Sequence, residues 1–195
     1  MKPAEEKSRT VAFALCGSFC SFGAVLPQIR VLRQRGWTIL PILSASAATQ
    51  DTRFGTATAL FATLRELTGH EPLTTLQAVE PLGPQQMARA LIIAPATGTP
   101  MALLAAGISS TPVTLAAKSL LRGGCPVVVA PSTNDGLAGS AGALAALLQR
   151  KHYYFVPFGQ DDSYKKPTSL KSDFTQLPDT LDGALRGVQI QPMLL

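Results

Sequence analysis

The sequence predicts an α/β fold, in which a mostly parallel β-sheet lies between two layers of helices. Short, continuously apolar runs recur along the 195 residues, as expected for strands that are covered on both faces. These runs alternate with stretches that carry apolar residues at helical spacing, which is typical of βαβ units. Hydrophobic residues make up 46% of the chain and charged residues 15%, which excludes an intrinsically disordered protein.

The strands and helices follow from these runs in chain order. Strands are predicted at residues 11–16, 37–43, 91–94, 126–130 and 153–156. Helices are predicted at residues 24–35, 51–67, 101–122 with a break at Pro112, 134–150 and 177–185. A glycine follows each of the first two helices and a proline follows the third and fourth strands, and both residue types commonly end regular structure. No repeat or linker is evident, so we expect one domain over residues 1–195, with residues 157–195 as a polar C-terminal extension that packs on it.

Charge and cysteine content limit the function. Lysine and arginine number 17 against 12 acidic residues, and this mild, dispersed excess favours small anions over nucleic acid as a ligand. Three cysteines without a CxxC motif and two distant histidines predict no metal site and a reducing, cytoplasmic location. The apolar run from Val11 follows Lys2, Lys7 and Arg9 as in a signal peptide, but glycine and serine interrupt it, so we expect a strand and a loop. No run reaches the roughly 18 apolar residues of a membrane span.

Small polar residues follow each of the first four predicted strands. In open parallel sheets, ligands bind outside the carboxyl ends of the strands, so we expect these residues to meet at one edge. Hydroxyl groups and the free N–H groups of a helix start can bind a phosphate, and each such residue could equally be an ordinary helix cap. The candidate binding residues are Gly17, Ser18, Ser44, Ser46, Thr97, Thr99, Thr133 and Asn134.

Residues suited to acid–base or nucleophilic catalysis are few. His70 and His152 lie in turns where we expect them to be solvated, and Cys16 within a strand is expected to be buried. Cys20 lies in the first loop, where a helix start could lower its thiol pKa, although a packing role is the simpler expectation. Residues 158–167 form the most polar segment, and two interpretations stay open, a mobile solvated loop or a substrate contact.

Three turn motifs carry a resemblance to a known family. They are Gly17 with Ser18, APAT at residues 94–97, and APSTN at residues 130–134. Together they resemble the flavoprotein superfamily that includes the cysteine-peptide and phosphopantothenoylcysteine decarboxylases. From about Thr10 to the C-terminus the chain is also similar to the B subunits of dipicolinate synthase. That closer likeness lies in AVLPQI at 24–29, DTRFG at 51–55, EPLGP at 80–84, STND at 132–135, PFGQDD at 157–162 and KKP at 165–167.

The resemblance implies a flavodoxin-like, Rossmann-type three-layer sandwich that assembles into trimers or dodecamers and binds flavin mononucleotide near a subunit interface. It implies a role in forming dipicolinate (pyridine-2,6-dicarboxylate) from dihydrodipicolinate during sporulation, in the mother-cell cytoplasm. The implied partner is the A subunit of dipicolinate synthase, which resembles a pyridine-nucleotide dehydrogenase. For the two substrate carboxylates, the candidate contacts are Arg53, Lys165 and Lys166, because charge-assisted contacts to carboxylate are strong.

The chain departs from the superfamily pattern at several positions. Thr99 stands where asparagine is usual, and Thr133 stands where methionine is usual. The active-site histidine of the decarboxylases falls on or beside Pro81, and proline has no proton to transfer. Three functions therefore stay open. They are a catalytic component of an oxidoreductase, a non-catalytic partner that gives the A subunit structure or carries its substrate, and, ranked last, a flavin-dependent decarboxylase.

Overall fold

Seven strands form the sheet in the computed structural model, which describes residues 9–195. They are β1 Thr10–Leu15, β2 Thr38–Leu43, β3 Leu91–Ala96, β4 Val127–Thr133, β5 Tyr153–Phe155, β6 Phe158–Asp162 and β7 Lys166–Ser172. The first five strands are parallel, in the order β2-β1-β3-β4-β5. This is the flavodoxin-like order of a doubly wound sheet. The predicted mostly parallel α/β sandwich is therefore confirmed. Lys2 and Lys7, which entered the signal-peptide argument, lie outside the described residues.

Helices cover both faces of this sheet. They are α1 Phe22–Gln34, α2 Ala45–Thr49, α3 Ala57–Thr68, α4 Leu76–Val79, α5 Gly98–Ala105, α6 Pro112–Leu121, α7 Ala141–Leu148 and α8 Leu177–Leu185. Because side chains alternate along a strand, β1 sends Val11, Phe13 and Leu15 into one core with α1, α3 and α8. Ala12 and Ala14 face the other core, with α5, α6 and α7. Within residues 9–195, no helix is both long enough and apolar enough to cross a membrane.

Strand β4 is long enough to pair with two different strands on the same side. Its first half pairs in parallel with β5, and its end pairs antiparallel with β7 at Ser132 and Thr133. Strands β6 and β7 form a hairpin, whose turn is closed by the Asp162 carboxylate accepting N–H bonds from Tyr164 and Lys165. The polar segment 158–167 therefore belongs largely to regular structure, and the interpretation as a mobile loop is wrong.

Two predicted helices begin later than the sequence indicated. The helix predicted from residue 51 begins at Ala57, because Thr56 caps it and residues 51–55 form a tight turn closed by two backbone bonds between Thr52 and Gly55. The helix predicted from residue 134 begins at Ala141, since residues 134–140 form turns. The short helix α2 was not predicted. These differences matter because both turns lie beside the candidate site.

Candidate functional site

The loops after β1 and β2 lie against each other at the carboxyl edge of the sheet. The backbone N–H of Ser44 donates to the carbonyl of Leu15, which joins the ends of the two strands. A Cβ atom at Gly17 would lie 2.8 Å from Ser46 Oγ, so any larger residue at this position would require the Ser46 hydroxyl to move. Ser44 caps α2 by accepting from the Ala47 N–H, and its hydroxyl lies 3.2 Å from that of Ser46. The structure therefore brings together Gly17, Ser18, Ser44 and Ser46, as predicted.

Three serine hydroxyls connect the β1 loop to β4. Ser18 Oγ lies 3.0 Å from both Ser21 Oγ and Ser132 Oγ, and the last two are 2.8 Å apart. We call these three residues the serine network. Since β3 lies between β1 and β4, the network crosses the sheet at the end of β3. The sequence analysis missed Ser21 and Ser132, although Ser132 directly precedes a residue that it selected.

The turns after β3 and β4 are packed together around a carboxylate. Asp135 Oδ1 accepts hydrogen bonds from Thr133 Oγ1 at 2.6 Å and Ser140 Oγ at 2.9 Å. Both bonds lower the pKa of Asp135, and the bond from Thr133 has the larger effect. A Cβ atom at Gly98 would lie 2.3 Å from Ser140 Oγ and 3.2 Å from Asp135 Oδ1. We call Thr133, Asp135 and Ser140 the Asp135 cluster. The sequence analysis did not select Asp135, even though it ends the STND motif.

The remaining predicted binding residues at this edge are differently placed. Thr97 precedes α5 without a side-chain cap bond, so the first N–H groups of α5 have no capping side chain. The side chains of Thr99 and Asn134 are exposed, and within residues 9–195 neither makes a hydrogen bond. The Thr133 hydroxyl donates a hydrogen bond to Asp135 and is therefore not free for a ligand. All the predicted residues therefore lie at one edge, but Thr133 is engaged in the Asp135 cluster.

The three predicted carboxylate contacts do not form one cluster. The Arg53 guanidinium stacks on the ring of Phe54, with its central carbon 4.9 Å from the ring centroid. Lys166 pairs with Asp161 at 2.6 Å, and Lys165 is exposed at the hairpin turn. The bond to Asp161 raises the pKa of Lys166, with a smaller electrostatic contribution from Cys20. The hairpin therefore lies near the β1 loop, while Arg53 lies on a separate turn.

A cleft of about 350 Å³ lies beside the β1 loop. One wall is formed by the start of α1, and the other by the 51–55 turn and the start of α3. We call it the aromatic cleft, after its three phenylalanines. Its lining residues are Phe19, Cys20, Phe22, Gly23, Leu26, Ala47, Gln50, Thr52, Phe54, Gly55, Thr56, Ala57, Ala59, Leu60 and Thr63. The sequence analysis did not find it, because its walls come from three separate segments; the DTRFG motif was the available signal.

Cys16 and both histidines lie as the sequence indicated, whereas the packing role expected for Cys20 is wrong, because its side chain is exposed. Cys16 is buried, and burial raises its thiol pKa to about 12. A backbone hydrogen bond from Thr97 acts in the opposite direction and lowers this pKa in part. Cys20 is exposed at the cleft, and His70 and His152 are both exposed. Pro81 lies in a 3₁₀ turn packed on α6, where Ser119 Oγ donates to the Glu80 carbonyl and accepts from the Gly83 N–H.

Known proteins with similar sequence and structure place the chain in a family. The sequence model of the Flavoprotein family matches residues 1–140. The B subunit of dipicolinate synthase from Bacillus subtilis (strain 168) is 38% identical over 189 residues, which cover 97% of this chain and 94% of that protein. The crystal structure of the corresponding B subunit from Bacillus halodurans C is 37% identical over 95% of each chain, with a TM-score of 0.87.

More distant structures share the fold. The FMN-dependent cysteine decarboxylase SpaF is 25% identical, with a TM-score of 0.65, and the match covers 90% of this chain and 96% of that one. The agreement with the B subunits extends beyond the fold, since the 38% identity holds over nearly the whole length of both chains. The chain therefore belongs to the Flavoprotein family and, within it, to the family of dipicolinate synthase B subunits.

Proposed function

We propose that this chain acts as the B subunit of a dipicolinate synthase and contributes to the oxidation of dihydrodipicolinate to dipicolinate. The observation that carries the proposal is the 38% identity to such a protein over 97% of the chain. By the same argument, we propose that its partner is the A subunit of that enzyme, that it forms homo-oligomers such as trimers or dodecamers, and that it is located in the mother-cell cytoplasm of a spore-forming bacterium. The single domain of residues 1–195 is part of this proposal.

The residues at the sheet edge fit a flavin phosphate. The β1 loop carries N–H groups at the start of a helix and the Ser18 hydroxyl, which would exchange its contacts with Ser21 and Ser132 for the phosphate. Gly17 lets the backbone approach Ser46 closely, and Ser44 stands beside it. Flavin mononucleotide would be held at its phosphate by Gly17, Ser18, Ser44 and Ser46. Its ring would lie toward the turns that carry Thr97, Thr99, Thr133 and Asn134.

The flavin, when bound, supplies the acceptor for a hydride from the dihydropyridine ring. The chain's own task is to hold the substrate, whose two carboxylates need cationic partners such as Arg53, Lys165 and Lys166. Lys166 must exchange its bond to Asp161 to do so, whereas Arg53 has no carboxylate within ion-pair distance among the described residues. The dihydropyridine ring also releases a proton, which solvent water can accept, and the aromaticity of the product makes the overall reaction favourable.

A non-catalytic role beside the A subunit is the second candidate, and two observations favour it. The place of the decarboxylase histidine falls on or beside Pro81, in a turn held by Ser119, and no histidine stands there. The Thr133 hydroxyl donates a hydrogen bond to Asp135, so it already has a partner within the protein. In this role, the chain would provide structure or carry the substrate while the A subunit performs the redox step. The same observations make a flavin-dependent decarboxylase the weakest candidate.

Flavin binding is tested with a single charge placed in the β1 loop. Ser18→Asp brings a negative group next to the proposed phosphate, and we expect it to weaken flavin mononucleotide binding by about 10- to 100-fold. Thr38→Asp, at the exposed first residue of β2 on the opposite edge of the sheet, is the matched control and should leave the affinity unchanged. Calorimetric titration and the flavin absorption spectrum measure both. Equal affinities for the two variants would contradict the proposed phosphate site.

The division of work between the two proteins is tested by mixing them. Both are purified and supplied with dihydrodipicolinate, and the ultraviolet absorbance of the aromatic product is followed. We expect the mixture to form dipicolinate and this chain alone to form little, since no described histidine lies at its sheet edge and the Asp135 carboxylate is held by Thr133 and Ser140; general acid–base catalysis is typically worth about 10²–10⁴ in rate. If this chain alone reaches the rate of the mixture, the partnership is wrong.

A further inference from the structure

We infer that the aromatic cleft binds the ring of a planar aromatic dicarboxylate, with Arg53 holding one carboxylate at its rim. The inference rests on the proposed function, whose product is an aromatic dicarboxylate, and it assigns that product a place beside the β1 loop, apart from the turns toward which the flavin ring would lie. The cleft borders the β1 loop, because Phe19 and Cys20 line it. A ligand there would lie next to the proposed phosphate site without occupying it.

The walls of the cleft suit a flat ring. Phe19 and Phe22 contact each other edge to face, with ring centroids 5.5 Å apart and planes at 62°. Phe54 forms the opposite wall and is 54% exposed, so part of its ring is available to a ligand. Leu26 and Leu60 add apolar surface. Aromatic rings pack well against one another in offset or edge-to-face contacts, so these walls favour an aromatic ligand over an aliphatic one.

The rim carries a cation without an acidic partner. Among residues 9–195, no carboxylate lies within ion-pair distance of Arg53, which is exposed and stacked on Phe54. The nearest acid in sequence, Asp51, uses Oδ1 to accept from the Ala57 N–H at 2.9 Å. A guanidinium can bind a carboxylate through two parallel hydrogen bonds. Arg53 is thus better placed for a ligand carboxylate than Lys166, which pairs with Asp161.

The turn that presents Arg53 and Phe54 is rigid. Thr52 and Gly55 exchange backbone hydrogen bonds of 2.9 and 3.1 Å, and the Phe54 N–H donates to Thr52 Oγ1 at 3.1 Å. Together with the bond from Ala57 to Asp51, these contacts fix both ends of the turn. Because the backbone of the turn is already constrained, less conformational entropy is lost there when a ligand binds.

Size and polarity agree with a small ligand. The volume of about 350 Å³ is at the lower end of the roughly 300–1,000 Å³ found for small-molecule sites. It suits one substituted ring rather than a three-ring flavin with its ribityl phosphate. The half-buried Thr63 hydroxyl lines the cleft and has no hydrogen-bond partner among the described residues, so it is available to a ring nitrogen or a second carboxylate.

The test uses pyridine-2,6-dicarboxylate as the probe, titrated calorimetrically into the full chain with and without saturating flavin mononucleotide. Arg53→Ala should weaken binding by about 10- to 100-fold, because a charge-assisted contact is lost. Arg53→Lys should recover part of the affinity, since it restores the charge but not the paired donors. Lys151→Ala removes an exposed cation from the turn before β5, at the opposite edge of the sheet, and is the matched control, expected to bind within about twofold of the unmodified chain.

A second measurement tests the aromatic wall of the cleft and does not require a change at Arg53. Phe54→Ala should also weaken binding, and nuclear Overhauser contacts should join the probe's ring protons to Phe54. Arg53 and Phe54 are both exposed, so circular dichroism should show an unchanged fold in these variants.

The outcomes separate this inference from the proposed function. Binding that is equal in Arg53→Ala, Phe54→Ala and the unmodified chain overturns the cleft assignment, as does absence of binding to the unmodified chain. If flavin mononucleotide binds but the probe does not, the inference fails and the flavin proposal stands. If the probe binds in an Arg53-dependent way but flavin does not, the inference stands and the flavin proposal fails.

Discussion

Replacing Gly98 with alanine should destabilise the fold, because this glycine is packed against the Asp135 cluster. An added Cβ atom would lie 2.3 Å from Ser140 Oγ, 3.2 Å from Asp135 Oδ1 and 3.4 Å from Thr133 Oγ1. The first distance is far below van der Waals contact, so either the serine or the β3–α5 turn must move. Ser140 is only 5% exposed and its hydroxyl donates to Asp135, so a shift of the serine also weakens that bond.

The expected cost follows from these contacts. Overpacking of this kind costs about 1–3 kcal/mol, and a weakened hydrogen bond adds up to about 1 kcal/mol. Alanine is favoured over glycine inside a helix by about 0.5–1 kcal/mol, which offsets part of this cost. The net loss in the free energy of unfolding should be about 1–3 kcal/mol. For a chain of this size, that corresponds to a fall of roughly 2–12 °C in the melting temperature.

Urea unfolding followed by circular dichroism measures the change, and α7 offers a matched control. Gly142 lies within α7, and a Cβ atom there would meet nothing within 4 Å. Gly142→Ala should therefore stabilise the protein by about 0.5–1 kcal/mol. Combining Gly98→Ala with Ser140→Ala removes the hydroxyl that clashes, so the double variant should lose about 1 kcal/mol less than the sum of the single variants.

Two results would refute this reasoning. Gly98→Ala could prove as stable as the unmodified chain, or it could gain stability as Gly142→Ala does. Strictly additive effects of Gly98→Ala and Ser140→Ala would show that the two positions do not touch in solution.

Three further predictions concern charge and reactivity. Folding lowers the pKa of Asp135 from its ordinary value of 3.8, so the bonds to its carboxylate stabilise the protein above that pH, and this stability is lost as the pH falls through the pKa of the folded state. The variant Asp135→Asn should therefore show a flatter dependence of stability on pH between neutral pH and about pH 2.5. Iodoacetamide should modify exposed Cys20 well before buried Cys16, whose pKa is raised to about 12, as peptide mass mapping will show. Arg35→Ala removes exposed ion pairs to α8 and should cost less than about 1 kcal/mol in thermal unfolding.

The order of strands and helices was predictable because burial leaves a local pattern in the chain. Strands β1 to β4 lie between two helical layers, so each appears in the sequence as a continuous apolar run, with bounds within three residues of those predicted. Helix α8 was predicted at its observed bounds, Leu177–Leu185. The hairpin of β6 and β7 was not predicted, because it carries mostly polar, exposed residues and gives no such pattern.

Some features of the candidate site were likewise predictable from the sequence, and others were not. The rule that ligands gather at the carboxyl ends of parallel strands was enough to select Gly17, Ser18 and Ser44. It could not show that the Ser18 hydroxyl contacts Ser132, because the two residues are 114 positions apart and meet only when β1 and β4 flank β3. Nor could it show that Thr133 donates to Asp135 rather than remaining free.

By itself, the sequence determined the α/β class, the chain order of the elements and the turns that carry small polar residues, because each depends on periodicity or on the backbone preferences of neighbouring residues. Only the tertiary structure decided which hydroxyls contact one another, which cationic side chains pair with acids, and that the start of α1, the 51–55 turn and the start of α3 enclose a cleft. Those properties depend on distances between segments that are remote in sequence, and side-chain packing sets such distances after the strands have paired.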